Sequence, residues 1–148
     1  MNPIIKLMHD HPAAVFPTRA TVGSAAYDFY AAEVEFHEEQ PWIRINTGVR
    51  MALPDNHALL LFSRSGLANA YGLQLRNGVG IVDSDYRGTI QFIMQYREGF
   101  KDNLIDVIKP GARVAQGIIL PIPQFSWMAV PNLDDTERGE GGFGSSGI

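Results

Sequence analysis

Trp42-Ile43-Arg44-Ile45-Asn46-Thr47-Gly48-Val49-Arg50-Met51-Ala52-Leu53 is the stretch that decides the fold class. Apolar and polar side chains alternate from Trp42 to Asn46 and again from Val49 to Leu53, the period of a strand with one buried face. Thr47-Gly48 interrupts the alternation and predicts a bend or bulge. Pro54-Asp55-Asn56 then predicts a turn, with Pro presetting φ.

The same pattern extends outward. Ala58-Leu59-Leu60-Leu61-Phe62 is a short apolar run suited to a strand buried on both faces. Asn77-Gly78 predicts a hairpin between Gly72-Leu73-Gln74-Leu75 and Val79-Gly80-Ile81-Val82. Thr89 to Tyr96 alternates, and Val114 to Ile122 reads as a last long strand. Only Ser65 to Tyr71 has a helical look. Strands of modest length with regular turns predict an all-β sandwich, barrel or jelly roll with one short helix.

At 148 residues the chain has the size of one domain. Hydrophobic residues make up 45% and charged residues 19%, an ordinary globular balance. The net charge of -4 gives no basic surface for polymeric nucleic acid, although a few local arginines can still hold one polyphosphate. The chain has no cysteine, which excludes disulfides, thiolate metal sites and thiol nucleophiles and fits a reducing cytoplasm. Met1 to Asp10 does not read as a targeting segment, and no apolar run reaches the length of about eighteen residues that a membrane helix needs. His9 and His11 could share a strand face, but no carboxylate cluster accompanies them, so no transition-metal site is expected.

Five stretches can carry chemistry. Ala25-Ala26-Tyr27-Asp28-Phe29 sets a carboxylate in an apolar run, where it requires a partner such as Arg64. Ser63-Arg64-Ser65-Gly66-Leu67-Ala68 joins the apolar strand to the short helix; its Ser-Gly pair is either an anion site or a plain N-cap by Ser65. Asn77 to Gly88 contains Asp83 and Asp85. One carboxylate there could deprotonate a water, and the glycine-bearing turn exposes backbone groups able to read a pyrimidine edge. In Gly111-Ala112-Arg113-Val114-Ala115-Gln116, strand alternation puts Arg113 and Gln116 on opposite sides. Arg138 to Ile148 is too poor in apolar residues for a core. It is expected to be a mobile arm whose glycines, Ser145, Ser146 and Arg138 suit phosphate, with Phe143 free to stack on a base.

Taken together and in order, these stretches resemble the five sequence motifs of the trimeric dUTPase family. Ala25 to Phe29, Arg64 to Ala68, Asn77 to Gly88, Arg113 to Gln116 and Arg138 to Gly147 correspond to motifs one to five. The resemblance implies a jelly-roll-like distorted β-barrel over residues 1–136, with residues 137–148 as an arm closing a neighbour's site in a homotrimer. It implies a dUTP diphosphatase that yields dUMP and pyrophosphate, limiting uracil incorporation into DNA and supplying dUMP for thymidylate synthesis. In that family's pattern Asp83 activates the water that attacks the α-phosphorus, and Tyr86 excludes a 2′-hydroxyl. Asn77, Gly78, Val79, Gly80 and Ile81 read uracil, with Phe143 stacked over it. Arg64, Ser65, Gly66, Gln116, Arg138, Gly144, Ser145 and Ser146 hold phosphates. Magnesium rides on those phosphates, with Asp28 either supporting its water shell or serving an ion-pair network. The chain departs from the pattern at Ala26 (usually Gly), Ser63 (usually Pro), Ala112 (often Asp) and Ser146 (often Thr). A dCTP deaminase on the same fold is the competing enzymatic reading, disfavoured by Asp83-Ser84-Asp85-Tyr86-Arg87-Gly88, the diphosphatase form. A nucleotide-switched binding protein is the competing reading of another class.

Overall fold

In the computed structural model, residues 3–142 are described. The strands run β1 (Lys6–His9), β2 (Tyr27–Tyr30), β3 (Glu33–Phe36), β4 (Trp42–Ala52) and β5 (His57–Ser63), followed by helix α1 (Ser65–Tyr71). They continue as β6 (Gln74–Leu75), β7 (Gly80–Val82), β8 (Thr89–Gln95), helix α2 (Lys101–Val107) and β9 (Arg113–Pro121). One sheet has the order β1-β4-β8-β6, with β3 also on β4; the other has the order β2-β9-β5-β7. The pairings in both are antiparallel. This is the all-β class that the alternation predicted, arranged in two sheets.

β4 organises the first sheet. One of its edges is shared end to end: β3 takes Ile43 to Asn46 and β1 takes Val49 to Ala52. Its other edge pairs with β8, and the register shifts between Asn46 and Arg50. That shift is the bulge expected at Thr47-Gly48. Asn46 Oδ1 accepts from Gly48 N at 2.9 Å; Thr47 Oγ1 donates to Ile90 O at 2.8 Å and accepts from Val49 N at 3.2 Å. Side chains thereby satisfy the backbone groups that the broken ladder leaves over. Gly48 has φ +64°, and a Cβ there would meet His11 Cβ at 2.5 Å. Only glycine fits.

The core lies between the sheets. β8 sends Ile90, Phe92 and Met94 inward, while Gln91, Ile93 and Gln95 face out. Phe92 meets Phe29 of the opposite sheet edge-to-face, with ring centroids 5.8 Å apart. Such a contact adds about 0.5–1.5 kcal/mol to the burial itself. Gly117 of β9 sits opposite this pair, and a Cβ there would meet Phe29 and Leu59 at 2.7 Å.

Two features depart from the sequence reading. Asn77-Gly78 does not join a hairpin: β6 pairs with β8 and β7 pairs with β5, so the turn carries the chain from one sheet to the other. Local turn chemistry specifies the reversal but not the partner, which is chosen by where Leu75 and Gly80 bury. The second departure is α2. Its Lys101, Asp102, Asn103 and Asp106 mask the period, and Leu104, with Ile108 just beyond, anchors it to the core. Among the described residues no helix is long and apolar enough to cross a membrane. Residues 122–142 form no strand or helix and leave Phe125, Trp127, Met128 and Leu133 exposed.

Candidate functional site

Residues far apart in sequence gather in a cleft of about 890 Å³ at one end of the second sheet, where β2, β9 and β5 meet α1. Asp28 comes from β2, Arg113 and Gln116 from β9, and Arg64, Ser65 and Gly66 from the junction of β5 and α1. Asp28 Oδ1 accepts from Arg64 Nε at 3.1 Å, and Asp28 Oδ2 accepts from Arg113 Nη1 at 3.4 Å. Arg64 Nη1 also donates to Arg113 O at 3.1 Å, which ties the two arginines together. The Asp28 side chain is 14% exposed, so a partner is required. Two guanidiniums face one carboxylate and, among the described residues, no other charged residue lines the cleft, leaving a net charge of +1. That suits an anion in a protein of overall charge -4.

Strand alternation alone puts Arg113 and Gln116 on opposite sides, yet both line this cleft. The cause is a bulge. Phe29 pairs with Ala115 but Tyr30 pairs with Arg113, so Val114 is the extra residue. Val114 and Ala115 both point into the core and are fully buried, which resets the alternation. Gln116 Nε2 donates to Ser63 O at 2.9 Å, holding the end of β5. Ser63 Oγ in turn accepts from Leu75 N at 2.9 Å, work that a proline at that position could not do. Arg64, not Ser65, is the N-cap of α1, and it makes no side-chain cap bond.

A second cleft of about 370 Å³ is lined by Asn77, Gly80, Ile81, Asp83 and Tyr86, with Thr89 and Gln91 of β8. Asp83 is the first residue beyond β7, is exposed, and is the single charged group of this cleft among the described residues. β7 is the last strand of its sheet, so one side of Gly80-Ile81-Val82 is hydrogen-bonded to β5 and the other edge is open. The loop after Asp83 is internally braced. Tyr86 N donates to Asp83 O at 3.2 Å, and Arg87 Nη1 donates to Ser84 O and Tyr86 O at 2.7 and 3.0 Å. Tyr86 Oη donates to Thr89 O at 3.2 Å, and the ring lies over Gly88, where a Cβ would collide with it.

Not every candidate residue joins these clefts. Gly78 lines the first and not the second, and Val79 is exposed outside both. Arg138 is exposed, with its Nε donating to Gly141 O at 2.8 Å. Phe143, Gly144, Ser145 and Ser146 lie outside the described residues. His9 stacks on Phe16 at 3.9 Å and His11 Nδ1 accepts from Ala13 N, so both histidines have structural partners. Among the described residues no group of three His, Asp or Glu side chains could hold a metal. Asp28, a candidate for a metal-water shell, has both oxygens engaged by arginines. Asp10 and Thr89 were missed from sequence. Thr89 Oγ1 donates to Asp10 Oδ2 at 2.6 Å and Arg50 Nε donates to the same oxygen at 2.9 Å. The hydrogen bond from Thr89, followed by Arg50, holds the Asp10 carboxyl below its ordinary pKa.

Comparison with known proteins identifies the family of the chain. The dUTPase family profile matches residues 13–147. A deoxyuridine 5′-triphosphate nucleotidohydrolase of Anaplasma marginale is 42% identical over 133 residues, covering 88% of each chain. One from Desulfitobacterium hafniense is 42% identical over 143 residues, covering 92% of this chain and 89% of that one. A variant of the Staphylococcus bacteriophage 80alpha dUTPase with dUpNHpp superposes with a TM-score of 0.83 at 27% identity, over 98% of this chain and 99% of that one. The chain belongs to the dUTPase family.

Proposed function

We propose that this protein hydrolyses dUTP to dUMP and pyrophosphate, with Asp83 activating the attacking water and the Arg64–Asp28–Arg113 cleft receiving phosphate. The observation that carries the reading is the gathering of Asp28, Arg64 and Arg113 into one net-cationic cleft in a chain of the dUTPase family. Asp28 acts by aiming the two arginines; a guanidinium fixed in advance loses little freedom when phosphate arrives. Ser65, Gly66 and Gln116 add neutral donors to the same wall.

The open edge of β7 supports the uracil assignment. Uracil presents alternating acceptor and donor groups, and the backbone groups that β7 turns to its open edge can bond them as they would another strand. Asn77 lines that cavity too, Gly78 and Val79 shape the turn before it, and Tyr86 is set to press on the sugar and exclude a 2′-hydroxyl. The exposure of Asp83 at the end of β7 supports its role as the group that takes a proton from water as it attacks the α-phosphorus in line. The group leaving is pyrophosphate.

In one chain the base-side and phosphate-side residues line different clefts. That supports sites completed between subunits of a homotrimer, as do Phe125, Trp127, Met128 and Leu133, apolar side chains left exposed before the arm. We assign residues 1–136 to the β domain and 137–148 to an arm that closes a neighbour's site, with Arg138, Gly144, Ser145 and Ser146 toward the terminal phosphate and Phe143 toward the base. Magnesium enters on the nucleotide: the described residues offer no three-ligand cluster, whereas the triphosphate is itself a chelator and keeps the ion's waters. Held there, the ion would supply charge neutralisation on the phosphates. A cysteine-free chain suits the cytoplasm, where we place its action.

The test is product analysis of the purified protein with magnesium and dUTP, with UTP, dTTP and dCTP in parallel and Asp83→Asn beside it. dUMP and pyrophosphate from dUTP alone, with kcat lowered about 10²- to 10⁴-fold in the folded variant, is the expected result. Ammonia release from dCTP, or dUTP bound but left intact, would overturn it.

A further inference from the structure

We propose that Asp10, outside the nucleotide-facing clefts, is a positioning residue that holds Tyr86 through Thr89 and so sets how strongly deoxyribose is preferred over ribose. The inference rests on the sugar-facing role of Tyr86 given above.

Tyr86 is 46% exposed, and its phenol is fixed by one neutral hydrogen bond to Thr89 O. The ring can therefore be no better placed than Thr89 is. Thr89 opens β8 just past the point where the β4–β8 ladder slips, between the Asn46–Gln91 and Arg50–Thr89 pairs. A strand end beside a bulge has fewer ladder bonds to fix it. A charge-assisted bond takes their place: Thr89 Oγ1 donates to Asp10 Oδ2 at 2.6 Å, short for a hydroxyl donor. Asp10 is itself held on two sides, by Arg50 Nε at 2.9 Å and by its own N–H on Gly48 O at 2.7 Å. The Gly48 bulge and Arg50 thus connect through Asp10 and Thr89 to the phenol. A carboxyl of ordinary pKa is already ionised near neutrality, and the lowered pKa of Asp10 extends its ionised range to more acidic pH.

The other brace on the loop, Arg87 on the carbonyls of Ser84 and Tyr86, acts on backbone and leaves the ring free to rotate. Among the described residues the bond to Thr89 O is the hydrogen bond that holds the hydroxyl end, while the ring packs over Gly88.

The experiment measures kcat and KM for dUTP and UTP on the full chain for native protein, Asp10→Ala, Thr89→Val and the double variant. Asp10→Ala should lower the dUTP/UTP ratio of kcat/KM roughly three- to tenfold, the worth of one such bond, with kcat for dUTP within about twofold of native. The double variant should lose no more than either single change, because both cut the same link. Glu35→Ala, which breaks the exposed Glu35–Arg44 pair at 3.3 Å, should leave the ratio unchanged. Hydrogen exchange is followed in parallel, and Asp10→Ala should speed it across residues 84–89 whether or not the chain turns over any nucleotide. A failure of native protein to hydrolyse dUTP sinks the functional reading, while unchanged exchange at 84–89 sinks this inference independently. An unchanged ratio with only a lowered Tm would reduce Asp10 to a structural ion pair.

Discussion

Asp28 Oδ1 and Arg64 Nε meet at 3.1 Å across 36 positions of sequence (64 − 28), on the floor of a cleft whose other guanidinium, Arg113, takes the second carboxylate oxygen. Removing the carboxylate leaves two like charges close together and unaimed. Asp28→Asn should raise KM for dUTP about three- to tenfold and lower stability by about 1–3 kcal/mol, while kcat falls little. Steady-state kinetics with urea denaturation would check it. An unchanged KM with lowered stability would make the pair purely structural.

Gly48 tests the bulge. At φ +64°, with His11 and Ala14 packed against the Cα, Gly48→Ala is strained twice over. The expected loss is about 2–4 kcal/mol, read as a fall in Tm of roughly 5–15 °C for a chain of this size.

Thr47 tests the same bulge from the side-chain end. Thr47→Val keeps the volume but strips Ile90 O of a donor and Val49 N of an acceptor in a fully buried setting. A loss of about 1–3 kcal/mol is expected in chemical denaturation at an unchanged m-value.

Gly88→Ala should move the Tyr86 ring without touching the phosphate cleft, because the new Cβ falls on the phenol. UTP should then become a better competitor by roughly tenfold, while inhibition by pyrophosphate stays as in native protein. Equal losses toward both ligands would instead indicate general unfolding of the loop.

Acid should cut the Asp10 link at a defined place. The folded-state pKa lies below the ordinary 3.8, so its stabilisation is fully present above the unfolded value and is lost as pH falls through the folded one. Arg50 is the charged group bonded to it, and His9 and His11 flank it in the chain. The Tm difference between native protein and Asp10→Asn should stay constant down to about pH 5 and shrink only below about pH 4. A change centred well above pH 5 would assign the effect to a group other than Asp10.

Many of the candidate site residues are legible in sequence, because they sit in short local words. Ser63 to Ala68 places an arginine and a Ser-Gly pair on one strand-to-helix junction, and Asp83 to Gly88 places carboxylate, phenol and glycine on one loop. The need of Asp28 for a partner followed from its apolar neighbours alone. What failed were readings that assumed a local rule carries through. Alternation separated Arg113 from Gln116 until an extra residue at Val114 brought them together. Turn chemistry at Asn77-Gly78 predicted a hairpin, although the two flanking strands bury in different sheets.

By itself the amino-acid order determined the strand period, the bulge at Thr47-Gly48, the all-β class and the residue types of the site, since each depends on side chains within a few positions. Tertiary structure alone decided that Asp28 bridges both arginines, that β7 ends its sheet with an open edge, and that Asp10 reaches Thr89 79 positions away. The physical reason is that periodicity and turn propensity act over a few bonds. Which strand pairs with which, and which charge finds which partner, is set by burying Phe29 against Phe92 and the rest of both sheets in one core.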